Sequence, residues 1–320
     1  MNNFLFLGGD KRMISAAKRL SENYDCFIYG FDRHCFSDNG GSPHGESIET
    51  CEPEITVLRE ITKCKSLVLP LPASSDGVHI NAPFFKEPLP VKLIPEAVYT
   101  GGVVYCGKTC PAIQAVCEEN NLKTVDYFER EELIVMNALV TAEGALEIIM
   151  NKLPMTIFGT EILITGFGRI AKILARLLIA MGAKVTVTAR KYADLAWAEA
   201  AGCKTVHISW LTDTLPKYDV AVNTVPAAIF DSSRIKKFKT GCLIVDLASK
   251  PAISDNDTEL ATQKGLHVIR ALSLPGKTAP VTAGTVIADT IMNILAENAE
   301  ISENQKNIKI TKNTGGLENA

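Results

Sequence analysis

The stretch "EILITGFGRIAKILARLL", residues 161–178, limits this chain's fold more tightly than any other. An apolar run leads into Gly-x-Gly-x-x-Ala at 166–171, and apolar residues at helical spacing follow. A strand, a tight glycine turn and a helix in that order open a parallel, dinucleotide-binding sheet. Gly166 permits the turn, Gly168 leaves room for a pyrophosphate against the backbone, and the small Ala171 lets helix and strand pack closely. The helix start, at Arg169 and Ile170, offers unpaired N–H groups and a positive dipole end to the phosphates.

About twenty residues on, such a chain ordinarily closes its second strand with an acid that accepts the adenosine ribose hydroxyls. Here the stretch reads "TVTARK" (186–191), with Thr188 on the strand and Arg190 and Lys191 where the acid would stand. An acid would repel a ribose 2′-phosphate, whereas Arg190 can grip one and Lys191 adds charge. A charge-assisted bond contributes about 1.5–3 kcal/mol, enough for roughly ten- to hundredfold discrimination. The expected cofactor is therefore NADP, ahead of NAD.

The rest of the chain alternates in the same way. Strand signals at 3–9, 25–31, 66–72, 102–106 and 123–128, with a helix at 11–23 and another near 110–121, predict a flavodoxin-like open α/β domain over 1–128. A long helical pattern from Arg130 to Leu153, closed by Pro154, predicts a connecting helix over 129–154. Strands at 162–165, 184–188, 219–224, 242–247 and 267–270 then place a Rossmann domain over 155–284. The fold class is thus α/β, with two domains joined by a helix. The periodic segment 285–297 predicts a last helix over 285–300 that returns toward the first domain, with the active site in the cleft between domains. The polar stretch 301–320 reads as a disordered tail. Two irregular stretches, 33–53 and the Pro-rich 71–101, lie where functional loops would.

Composition narrows the function classes. A net charge of −3 lacks the basic excess of a general nucleic-acid binder. The apolar run "ILARLLIAMGA" carries Arg176 and is followed by Lys184, so it predicts no membrane span, and no secretory leader is visible. A cytoplasmic protein is expected. The nine cysteines include no Cys-x-x-Cys pair, and Cys106 and Cys110 lack a second pair at zinc spacing. Buried free thiols are expected, with no metal.

Three segments should flank the nicotinamide half, because they end strands on the ligand side: "NTVPAAIF" (223–230) with Thr224 and Pro226, "VDLASKPAI" (245–253) with Leu247, and "ALSLPGKTAPVTAG" (271–284). These also carry a resemblance. With "GGDKR" (8–12), "LPLPASSDG" (69–77) and "ITGFGRIAK" (164–172), they make the chain from Asn3 to about Glu297 similar to the A subunits of bacterial dipicolinate synthases. The resemblance implies formation of pyridine-2,6-dicarboxylate from a partly reduced, hydroxylated precursor that branches from lysine biosynthesis. It also implies the mother cell of a sporulating bacterium and, for a partner, a flavoprotein-like B subunit; a homo-oligomer is a further expectation. More distantly, "VDLASKPAI" and "LPGKTAP" resemble segments of alanine dehydrogenase and related transhydrogenases, but Lys250 stands where those enzymes carry an acid beside the substrate.

Such a substrate needs two carboxylates held, one ring carbon set against the nicotinamide, and a proton acceptor. Arg12, at a helix start after "LGGD", is a candidate for the carboxylates, as are Lys11, Ser74, Ser75, Lys108 and Lys277. Asp76 and Lys250 are the candidate catalytic groups, and His79 is the best-placed histidine. Two alternatives stand beside this reading: a nucleotide-binding partner subunit with no chemistry of its own, and an alanine dehydrogenase-like enzyme for another small acid.

Overall fold

The computed structural model describes residues 3–32, 56–58 and 60–314. The expected loop at 33–53 lies outside the described residues. The chain forms two compact units, one built from residues up to Ile134 together with those from Pro280 onward, the other from Val135–Ala279.

The first unit begins with β1 (Asn3–Leu7), α1 (Lys11–Ser21), β2 (Asp25–Tyr29), β3 (Thr56–Val57) and β4 (Cys64–Val68). A small antiparallel pair follows, β5 (His79–Ile80) and β6 (Leu89–Pro90), then α2 (Ile94–Ala97), β7 (Val98–Cys106), α3 (Pro111–Glu119) and β8 (Lys123–Asp126). The main sheet is parallel throughout, in the order β3-β2-β1-β4-β7-β8. Without the two-residue β3, that is the flavodoxin-type order. Phe4, Leu5, Phe6 and Leu7 of β1 are all buried, as a central strand covered on both faces requires.

Helix α4 (Glu131–Lys152) starts in the first unit and continues into the second. It has the length and hydropathy of a membrane span. Its Ala142, Ala145 and Ile149, however, are buried in the second unit's core with Ile162, Leu174 and Leu178. The second unit continues with β9 (Glu161–Thr165), α5 (Arg169–Ala180), β10 (Lys184–Ala189), α6 (Tyr192–Ala200), β11 (Lys204–His207), α7 (Leu211–Thr214) and β12 (Val220–Asn223). It ends with α8 (Ser232–Ile235), β13 (Leu243–Asp246), α9 (Thr258–Gln263), β14 (His267–Arg270) and α10 (Leu274–Thr278). Its sheet is parallel in the order β11-β10-β9-β12-β13-β14, the doubly wound dinucleotide-binding order. The sequence reading missed β11, a sheet-edge strand in which three of the four residues, "KTVH", are polar.

The last helix, α11 (Pro280–Thr314), packs Ile287, Ala288, Ile291 and Ile294 into the first unit's core with Met13, Ala16, Ala17 and Leu20 of α1. Gly284 explains how close the two helices come: a Cβ there would stand 2.3 Å from the Arg12 carbonyl oxygen. Two expectations change here. The segment 271–284 is largely helical, and α11 runs past residue 300 to Thr314, where Glu, Gln and Lys are good helix formers.

The described cysteines are free, and Cys26, Cys64, Cys106, Cys117, Cys203 and Cys242 are buried. Burial pushes the Cys26 thiol up to about 12 and that of Cys64 to about 11, so neither is a thiolate near neutral pH.

Candidate functional site

In an open α/β sheet, ligands bind beyond the carboxyl ends of the strands where the strand order reverses. In the second unit that point lies between β9 and β12. The turn after β9 is held from both neighbours: Gly166 N donates to the Thr188 carbonyl at 2.8 Å, and the Thr224 hydroxyl donates to the Thr165 carbonyl at 2.7 Å. Gly166 has φ +80°, and a Cβ there would lie 2.7 Å from Val225 Cγ2, so the protein itself requires glycine.

Gly168 differs. Its φ of −80° suits any residue, and an added Cβ would meet no protein atom within 4 Å. Nothing in the fold demands glycine there, and the open space beside the backbone is where a ligand could approach it. Gly168 also caps α5 without a side-chain hydrogen bond, which leaves the helix start open to an anion. Arg169 is exposed there, while Ile170 packs against the core. These features fit a dinucleotide pyrophosphate.

Arg190 and Lys191 are both exposed beyond β10, which ends at Ala189 with no acid. His207 accepts from Ser209 N on Nδ1 (3.3 Å), so its Nε2 donates to the Arg190 carbonyl (3.1 Å). Tyr192 stacks on the same ring, centroids 5.1 Å apart. The sequence reading missed both residues as supports for Arg190; the pairing of β11 with β10 brings His207 there, against Tyr192 at the start of α6. Of the other cofactor candidates, Pro226 is exposed at the end of β12. Thr188 is buried, its hydroxyl without a hydrogen-bond partner among the described residues. Leu247 lies in the core rather than facing a ligand.

Beneath these turns runs a polar chain that the sequence did not reveal. Thr165 Oγ1 donates to Asn223 Oδ1 (2.5 Å), Asn223 Nδ2 to Asp246 Oδ1 (2.8 Å), and Arg270 Nη1 to Asp246 Oδ2 (2.8 Å). Asp246 also accepts from Ala248 N and Ala252 N, so one carboxylate fixes both ends of the loop that carries exposed Lys250. Lys277 is exposed in the last turn of α10.

In the first unit the order reverses between β1 and β4. Arg12 was expected to meet substrate; instead it is 8% exposed, with Nε and Nη2 on Asp10 and Nη2 also on the Leu71 carbonyl. The guanidinium ties the loop after β1 to the loop after β4. Lys11 begins α1 beside it and is exposed. Ser74 is likewise engaged within its loop, accepting from Gly77 N and donating to Asp76. Ser75 is exposed. Lys108 is exposed in a left-handed conformation (φ 57°), its backbone and that of Thr109 held by Asp126. Strain of that kind gathers at ligand-facing turns.

Asp76 needs a correction. Its carboxylate accepts from His79 N, Val78 N, the His79 ring and Ser74, and the His79 backbone bond above all holds it well below the usual carboxylate range. A carboxylate so stabilised is a weak base. It organises the loop and His79.

Comparison with known proteins accords with this geometry. Residues 3–128 match the family model of the N-terminal domain of the dipicolinate synthase A subunit, and residues 124–266 match that of the D-isomer specific 2-hydroxyacid dehydrogenase NAD-binding domain. The dipicolinate synthase A subunit of Bacillus subtilis (strain 168) is 28% identical over 293 residues, 91% of this chain and 95% of that protein. The chain is a relative of the dipicolinate synthase A subunit. The crystal structure of that subunit from Bacillus halodurans superposes with a TM-score of 0.77 at 27% identity, covering 92% of this chain and 98% of that one. An L-alanine dehydrogenase shares the fold alone, with a TM-score of 0.57 at 13% identity over 92% of this chain and 90% of that one. The second unit is thus an NAD-binding domain of the dehydrogenase type, and the chain has an oxidoreductase architecture with a nicotinamide dinucleotide as cofactor.

Proposed function

We propose that this protein is the NADP-dependent oxidoreductase subunit of a dipicolinate synthase, forming pyridine-2,6-dicarboxylate from a partly reduced, hydroxylated precursor. The observation that carries the reading is the pairing of the likeness to the dipicolinate synthase A subunit, over 91% of the chain, with a glycine turn that leaves the backbone at Gly168 open to a pyrophosphate. The end of β10, with Ala189 and then exposed Arg190 and Lys191, supports NADP over NAD.

When bound, the dinucleotide supplies a two-electron hydride acceptor. The chain's own residues do the remainder. The backbone at Gly168 and the start of α5 hold the pyrophosphate, and Arg190, steadied by His207, holds the 2′-phosphate. The exposed Ser75 and Lys108 are candidate carboxylate contacts on the first unit, and Lys250 and Lys277 are candidates on the second, each taken by itself, while Asp10 and Arg12 position the loop that carries Ser75. A partner protein, the B subunit, completes the enzyme, since its relatives are named as one lettered component of a larger synthase.

The test follows absorbance at the reduced-nicotinamide band when the purified chain meets precursor and NADP, with and without a B subunit. Reduction of NADP in either arm is expected. Absence of reduction in both, with NADP bound, would leave a nucleotide-binding subunit without chemistry of its own.

A further inference from the structure

Resting on that reading, we infer that His79 is the base that takes the ring proton and that Asp76 positions it. The two side chains meet through His79 Nδ1 and Asp76 Oδ2 at 2.8 Å. Asp76 is ionised and can only accept, so Nδ1 must carry the proton and donate it. That fixes the tautomer of the neutral ring, in which Nε2 carries the lone pair, and the structure records no partner for Nε2 among the described residues.

The place also suits the role. The dyad sits on the loop that follows β4, one of the two strands flanking the reversal of strand order, and β5 anchors it through Ile80 paired with Leu89. Asn81 closes the loop, its N donating to the Ala73 carbonyl and its side chain to the Pro72 carbonyl. Ala73 N in turn donates to the Gly107 carbonyl at 2.7 Å, which ties the dyad's loop to the turn carrying Lys108. The His79 side chain is 42% exposed, enough to meet a ligand and too much for a core histidine. Among the described residues the charged side chain recorded against His79 is that of Asp76; the paired β6 brings Leu89 and Pro90, which do not titrate.

The balance of the step is simple. Once the precursor's hydroxyl has left as water, one ring C–H bond breaks and its electron pair passes as hydride to the oxidised nicotinamide. A proton is lost to His79 Nε2 from the neighbouring ring atom, whose bonding pair closes the aromatic system. The ring loses two electrons, the nicotinamide gains them, and the imidazolium returns the proton to water.

The experiment uses the whole chain with its partner subunit. His79→Gln is expected to cut kcat about 100-fold or more, the usual worth of a positioned base, and to abolish the acid limb of the kcat/KM profile. Its NADP affinity should stay unchanged, which also shows the variant to be folded. Added imidazole should restore part of the turnover of His79→Ala. In Asp76→Asn the nitrogen-15 shifts of His79 should report a change of tautomer, with kcat reduced, since an amide can donate to Nδ1 where a carboxylate cannot. Full turnover by His79→Gln overturns the role of His79 and leaves the dipicolinate reading standing. An unaltered protein that binds NADP yet never reduces it with precursor overturns that reading, and the role of His79 with it. An unchanged His79 tautomer in Asp76→Asn overturns the positioning role alone.

Discussion

Arg270 Nη1 lies 2.8 Å from Asp246 Oδ2, joining the end of an edge strand to a carboxylate whose side chain is 2% exposed. Cutting that pair leaves a buried charge with only its amide donors and Asn223. Arg270→Ala should therefore destabilise the second unit by about 2–4 kcal/mol, toward the low end because Arg270 is itself partly solvated. Urea unfolding, read as a shift in midpoint at constant slope, measures this. A change under about 0.5 kcal/mol would show the pair to be of surface strength.

The two glycines of the turn should respond differently. Gly166→Ala forces a side chain onto a left-handed backbone and into Val225, so a loss of about 1–2 kcal/mol in stability is expected. Gly168→Val should unfold at the same temperature as the unaltered protein and bind dinucleotide far more weakly. Thermal unfolding paired with NADP titration separates them. Normal binding by Gly168→Val would reduce the turn to a structural feature.

Dinucleotide choice should rest on Arg190. Calorimetry on the unaltered protein and on Arg190→Ala is expected to show the NADP preference shrinking about tenfold or more. His207→Phe keeps a ring against Tyr192 but removes the donor to the Arg190 carbonyl, so a smaller loss in the same direction is expected. Equal affinity of the unaltered protein for both dinucleotides would refute the assignment.

Acid should weaken the first unit through Arg130. Its guanidinium bonds Glu297 of α11 and Glu132 of α4, and those bonds hold both carboxyls below the usual range. A lowered folded-state value means stabilisation that is present above the unfolded carboxyl value, about 4.3, and lost as pH falls through the folded values. Arg130→Met should flatten that acid dependence, as followed by the unfolding midpoint between about pH 7 and pH 3. An identical acid profile in the variant would mean the ion pairs are too exposed to matter.

Much of this was legible in the sequence because parallel strands covered on both faces write themselves as apolar runs. "FLFL" of β1 and "ILIT" of β9 are such runs, and the glycine signature at 166–171 fixed the second sheet's ligand side. The edge strand β11 escaped because Val206 is the one apolar residue among its four, and none of them is fully buried. Side-chain partners escaped for another reason. Asp76 reads as a free acid until four donors are seen around it, and Arg12 reads as a free cation until Asp10 and the Leu71 carbonyl are seen to hold it. The chain Thr165–Asn223–Asp246–Arg270 joins residues up to 105 positions apart, and no local pattern announces it.

The crossing from α10 to α11 has a consequence for how the molecule is made. Domains commonly fold in the order in which they leave the ribosome, the earliest first. Here the earliest domain lacks Ile287, Ala288, Ile291 and Ile294 until the whole second unit has been translated, and α1 would meanwhile show Met13, Ala16 and Leu20 to solvent. The dinucleotide-binding domain, continuous from Val135 to Ala279, has no such wait. Birth order and folding order should thereby be reversed: a nascent chain that has emerged through Ala279, with residues from Pro280 onward still inside the ribosome, should carry a finished cofactor domain beside an unfinished first one.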